Sequence, residues 1–242
     1  MKKTIKPELI IALDFNKLSY AMEFLDQIDP SLCKVKVGKE LFLAEGKKCI
    51  QVLRSLGFDV FLDLKFHDIP NTVAKACMVA ADLGCWMVNV HVSGGRRMME
   101  AAAEVYSSLR NPPILVGVTM LTSLNEIDLK ELGFVSSVEE QVKNMAQLAM
   151  TSGLKGVVCS AVEARFLSSL MGENFVLVTP GIRLSGDNLD DQKRVVSPVE
   201  AADNGSHFLV VGRSLTTVSN PLEKVLSIQN MLRNRYESEN SS

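Results

Sequence analysis

Short apolar runs alternate with longer amphipathic stretches along the whole chain. The runs are Leu9–Phe15, Cys33–Gly38, Val60–Phe66, Met87–Val92, Ile114–Met120, Gly156–Ser160, Phe175–Thr179 and Phe208–Gly212. Each is rich in Val, Ile and Leu and closes at or beside a polar residue or a glycine. A parallel strand covered on both faces reads this way, because neither face needs polar residues for water. The stretches between them predict helices over Lys39–Leu56, Asn71–Leu83, Gly95–Leu109, Val138–Ser152 and Leu222–Arg235. In the second of these, Val73, Ala76, Cys77, Ala80 and Ala81 recur at the spacing of one apolar helix face.

Eight strand-then-helix units in 242 residues predict an α/β protein of the (β/α)8 barrel class in a single domain. A doubly wound open sheet would have fewer strands and a glycine-rich turn after the first. Here the first strand ends Ala12-Leu13-Asp14-Phe15-Asn16, without glycine. No Pro/Gly/Ser-rich linker divides the chain. Residues 1–237 are expected to form the barrel and 238–242 a polar tail.

Composition and charge narrow the partners. Hydrophobic residues make up 47% and charged residues 22%, as in ordinary globular proteins, and the net charge is −2. Neither a nucleic acid nor a membrane surface is an expected partner. The start of the chain has no apolar core of a signal peptide, and no run reaches the length of a membrane span, so a cytoplasmic location is expected. Cys33, Cys49, Cys77, Cys85 and Cys159 are odd in number with no C-x-x-C spacing, and read as reduced packing residues. His67, His91 and His207 have no metal-ligand spacing, so no metal site is expected.

In such barrels chemistry sits at the C-terminal ends of the strands. Strand one delivers Asp14, strand two Lys36, and strand three the run Phe61-Leu62-Asp63-Leu64-Lys65-Phe66-His67-Asp68. A period of two puts Asp63 and Lys65 on one face among apolar neighbours. Buried charges need partners, and two lysines among three aspartates can supply an alternating network. The alternative, an interior salt-bridge cluster that only fixes register, fits less well with charges placed at loop entries. At the far side, Thr179-Pro180-Gly181-Ile182-Arg183 and Val211-Gly212-Arg213-Ser214 follow strands seven and eight, where barrels often bind phosphate. Leu184–Arg194 is polar, too long for a tight turn, and reads as a lid.

Other candidates carry less. Gly94-Gly95-Arg96 fits a helix start better than a phosphate loop. His91 ends strand four and either lines the mouth or is a satisfied structural histidine. His67 suits packing or partner contact more than catalysis. Cys159-Ser160 lacks a nucleophile context.

Ala12-Leu13-Asp14, Lys36-Val37-Gly38-Lys39, Asp63-Leu64-Lys65-Phe66-His67-Asp68-Ile69-Pro70-Asn71-Thr72, Leu121-Thr122-Ser123, Thr179-Pro180-Gly181-Ile182-Arg183 and Val211-Gly212-Arg213 together resemble the bacterial orotidine 5′-phosphate decarboxylase family. The resemblance is ordered and spans Leu9 to about Ser214. It implies a cofactor-free homodimer with shared sites that converts orotidine 5′-phosphate to uridine 5′-phosphate. Lys65 would protonate C6 of the pyrimidine, Asp63 would face the departing carboxylate, and Asp68 of the second subunit would complete an array with Lys36. Asp14 and Lys36 would hold the ribose with the other subunit's Thr72, and Thr122 would lie at the pyrimidine edge. Gln192, Arg183, Gly212 and Arg213 would hold the phosphate. Two rivals are a Mg²⁺-dependent sugar-phosphate enzyme on the same barrel and a silent barrel that binds nucleotide without turnover.

Overall fold

The computed structural model describes residues 6–184 and 196–240. Within them the apolar runs form eight parallel strands: β1 (Glu8–Ala12), β2 (Lys34–Val37), β3 (Val60–Phe66), β4 (Met87–His91), β5 (Ile114–Val118), β6 (Gly156–Val158), β7 (Val176–Thr179) and β8 (Phe208–Val211). Each strand pairs with the next and β8 pairs with β1, so the sheet closes into the expected barrel.

Alternation along the strands sorts side chains between two interiors. Ile10, Ala12, Phe61, Met87, Val116, Val178, Phe208 and Val210 point inward and fill the barrel. Their neighbours Leu9, Ile11, Val35, Val37, Val60, Leu62, Leu209 and Val211 pack outward beneath helices. Burial on both faces is why the strands read as nearly unbroken apolar runs.

The barrel's N-terminal end is closed by an ion cluster. Lys34 Nζ lies 2.9 Å from Asp59 and 3.2 Å from Glu8, and 4.5 Å from the centre of the Trp86 ring. Trp86 in turn meets Phe208 edge-on at 5.0 Å. Lys36, two residues further along β2, shares this inward parity but emerges toward the opposite end, where the site lies.

The helices are α1 (Leu18–Leu25), α2 (Lys39–Glu45), α3 (Lys47–Ser55), α4 (Pro70–Asp82), α5 (Arg96–Ser107), α6 (Glu126–Glu131), α7 (Val138–Thr151), α8 (Ala161–Met171), α9 (Pro198–Asp203), α10 (Arg213–Thr216) and α11 (Pro221–Asn240). The single helix expected over Lys39–Leu56 is two, because Gly46 adopts φ +62 and breaks the ladder between α2 and α3. Helix α11 continues to Asn240, past the expected boundary at Ser238. An exposed helix turn needs no apolar residues, and Glu237 is a good helix former. All five cysteines are free and buried. Among the described residues no helix is long and apolar enough to cross a membrane.

Candidate active site

The site is built around an irregularity in β3. Leu62 pairs with Val88 and Phe66 pairs with Val90, so Asp63, Leu64 and Lys65 face Asn89 alone. Lys65 takes up the slack with φ +57, the one described non-glycine residue in the left-handed region. A bulky side chain there is strained and persists only where its surroundings hold it. Asp63 and Lys65 do meet, but through this bulge rather than through plain two-residue alternation. The bulge removes the ladder partner of the Lys65 N–H, which instead donates to Asn89 Oδ1 at 2.8 Å.

Four charges then alternate, two on β3, one on β2 and one just past the end of β1. Lys65 Nζ donates to Asp63 Oδ1 at 2.6 Å, and Lys36 Nζ lies 3.3 Å from Asp63 Oδ2 and 3.4 Å from Asp14 Oδ1. Asn89 Nδ2 donates to Asp63 Oδ1 at 2.7 Å. The Asp63 side chain is only 12% exposed, so this partnering is what allows it to stay ionised. Burial alone would raise its pKa; the Lys36 and Lys65 charges, with hydrogen bonds from Lys65 and Asn89, outweigh burial and hold it below the usual carboxylate value. A glycine at 38 leaves room for the network, since a Cβ there would lie 3.3 Å from Lys36 Nζ.

Asp14, Lys36, Asp63 and Lys65 line a cavity of about 290 Å³. Thr122, Arg183, Gly212 and Arg213 line it as well, from the segments that follow β5, β7 and β8. Ala12, Phe61, Val118, Met120, Val158 and Val210 add apolar surface to the lining. Arg183 is tied in place: its N–H donates to the Val196 carbonyl at 3.0 Å and its guanidinium to the Ile182 carbonyl at 3.1 Å. Arg213 opens α10 directly after Gly212. A cavity lined both by two arginines and by an ammonium–carboxylate array suits an anionic ligand.

Asp68 and Thr72 do not line this cavity. Both are exposed, beside an Ile69 that is 67% exposed. Asp68 accepts a hydrogen bond from the Ile69 N–H at 2.6 Å and forms no ion pair with the described residues. Gln192 lies outside the described residues, as does the expected lid apart from Leu184. Gly95, at φ +85, caps the start of α5, and Arg96 bonds Thr151 at its hydroxyl and carbonyl, which makes this segment structural. The His91 ring stands 5.4 Å from the His67 ring and away from the cavity. Ser160 caps α8 in a box with Glu163, and Cys159 lines the cavity fully buried, where burial pushes its thiol well up and disfavours a thiolate nucleophile.

Asn89 is the residue that reading the sequence missed. Its one available signal was an amide set between valines in Val88-Asn89-Val90, at an inward strand position where a buried polar group must find partners.

Residues 7–228 match the family described as "Orotidine 5′-phosphate decarboxylase / HUMPS family". The chain is 52% identical over 233 residues to an orotidine 5′-phosphate decarboxylase of Psychromonas ingrahamii, covering 96% of this chain and 100% of that one. It is 54% identical over 220 residues to one of Laribacter hongkongensis, covering 91% and 90%. Its fold is similar to the crystal structure of orotidine 5′-phosphate decarboxylase from Lactobacillus acidophilus, with a TM-score of 0.84, 35% identity, and coverage of 93% and 99%.

Proposed function

The chain belongs to the orotidine 5′-phosphate decarboxylase / HUMPS family, and on that basis we propose that it converts orotidine 5′-phosphate to uridine 5′-phosphate and CO2 in pyrimidine biosynthesis. The observation that carries the reading is the Lys36–Asp63–Lys65 array lining one cavity together with Arg183 and Arg213. Relatives at more than half identity that bear this name support it.

In this reading the C6–carboxylate bond breaks heterolytically and CO2 leaves. The electron pair stays in the ring plane at C6, where the π system cannot absorb it. The Lys65 ammonium gives its proton to that pair, and the resulting amine is reprotonated from solvent. A preorganised cation in a water-poor cavity stabilises the developing charge without reorganising. Asp63 orients Lys65 and faces the departing carboxylate. Asp14 and Lys36 hold the ribose hydroxyls, Thr122 meets the pyrimidine edge, and Arg183, Gln192, Gly212 and Arg213 hold the phosphate. Enzymes lower barriers by about 8–23 kcal/mol, and a localised carbanion calls for the upper part of that range. One lysine falls short of it, so phosphate and ribose binding must also drive desolvation.

Asp68 and Thr72 complete a neighbouring site in a homodimer, a role that suits their exposure beside a cavity they do not line. No cofactor takes part, and the reaction runs in the cytoplasm. The test is ultraviolet loss of orotidine 5′-phosphate by purified protein in excess EDTA. Rapid formation of uridine 5′-phosphate is expected. A folded protein that leaves it untouched but decarboxylates a sugar phosphate when Mg²⁺ is added would overturn the proposal.

A further inference from the structure

Asn89 lies behind the site: it is 1% exposed and is not among the residues that line the cavity. It stands where the β3 bulge leaves one β4 residue facing three. Its side chain replaces the missing rungs of the ladder, accepting from the Lys65 N–H at 2.8 Å and donating to Asp63 Oδ1 at 2.7 Å. That same Asp63 oxygen receives Lys65 Nζ at 2.6 Å. Only one orientation of the amide works, because turning it over would set N–H against N–H and oxygen against carboxylate. One side chain therefore grips both the main chain and the counter-ion of Lys65.

We propose that Asn89 is a positioning residue for the proton donor, holding Lys65 in its left-handed backbone and Asp63 at the angle that aims the ammonium into the cavity. The proposal rests on the reading of Lys65 as the acid. Without the amide, the Lys65 N–H loses its acceptor and only the Asp63 contact opposes the strain at φ +57, so Lys65 relaxes toward an extended strand that points its side chain elsewhere. Misplacing a reacting group by about 1 Å costs on the order of 10²-fold in rate. The phosphate end, carried by β7 and β8, stays in place, so product affinity and rate separate.

The test compares wild type with Asn89→Ala and Asn89→Asp. Alanine removes both hydrogen bonds. Aspartate keeps an acceptor for the Lys65 N–H but sets a carboxylate against Asp63, and it carries the test should alanine not fold. Three quantities are read: kcat on orotidine 5′-phosphate, the Kd of uridine 5′-phosphate by calorimetry, and the Lys65 position in crystals of each variant. Expected is a kcat loss of about 10²-fold, a Kd within about threefold, and Lys65 Nζ displaced from Asp63. Unchanged kcat would overturn the proposal, as would a loss of affinity equal to the loss of kcat, which marks general damage to the fold. If wild type itself does not turn over orotidine 5′-phosphate, it is the functional reading that fails. The crystal structures then judge the positioning alone, and an unmoved Lys65 Nζ overturns it.

Discussion

Replacing Asp63 alone by alanine should cost far more stability than replacing the whole Lys36–Asp63–Lys65 triad by Met, Leu and Met. Asp63 is 12% exposed and lies within 3.3 Å of one ammonium and 2.6 Å of the other. Without it, two half-buried cations remain roughly 5–8 Å apart, repelling by about 2–3 kcal/mol at an effective dielectric near 20. The Asn89 donor loses its acceptor as well, adding about 1–3 kcal/mol. Asp63→Ala should therefore destabilise by about 3–5 kcal/mol, the usual cost of breaking a buried pair. In the triple variant the two facing ammoniums are gone and only the half-exposed Asp14 carboxylate remains, so at least about 2–3 kcal/mol should return. Urea unfolding without nucleotide, at one protein concentration to hold association constant, reads both values. The single variant's midpoint should fall by roughly 1–2.5 M at unchanged slope, with much of the loss recovered in the triple. A triple as unstable as the single would mean that the array holds the fold together. A neutral Asp63→Ala would mean that its charges do not depend on one another.

Further expectations follow from the same geometry. Mixing inactive Lys65→Ala and Asp68→Ala proteins should restore roughly a quarter of wild-type activity, because half the dimers become mixed and each holds one intact site; no recovery after confirmed subunit exchange would assign each site to one chain. Arg213→Ala should lower kcat/KM for orotidine 5′-phosphate by about 10- to 100-fold through loss of a charge-assisted contact, and an unchanged value would remove Arg213 from the phosphate site. Burial, helped at His91 by His67 and nearby lysines, holds His91 and His207 below the usual imidazole value. The unfolded chain therefore takes up protons first, and stability should fall as pH drops through about 6.5. His207→Asn, whose oxygen can still accept from the Leu177 N–H, should flatten that decline in urea midpoints between pH 7 and 5, and an equal slope would refute the assignment.

The barrel was legible because its strands are buried on both faces and end in polar residues that have no place in a core. Eight such runs admit few other closures, and Asp14, Lys36, Asp63 and Lys65 stood out as charges inside apolar strands. Backbone irregularity was not legible. Gly46 sits in a stretch whose apolar spacing runs on across it, so one helix was expected where two form. The β3 bulge leaves no mark in Asp63-Leu64-Lys65, whose plain alternation gives the right neighbours by the wrong path. Asn89 was hidden for the same reason: its purpose is set by a register shift on the adjacent strand. Asp68 and Thr72 carry no local sign of which chain they serve, since the segment from a strand into the next helix looks alike whether it feeds its own cavity or another.

The central claim is that Lys65 delivers the proton that replaces the carboxylate. The most direct measurement is kcat on orotidine 5′-phosphate for Lys65→Ala beside wild type, with circular dichroism and uridine 5′-phosphate binding as controls. The account predicts that turnover vanishes while the variant stays folded and still binds the product. A folded Lys65→Ala protein with near-normal kcat would contradict it.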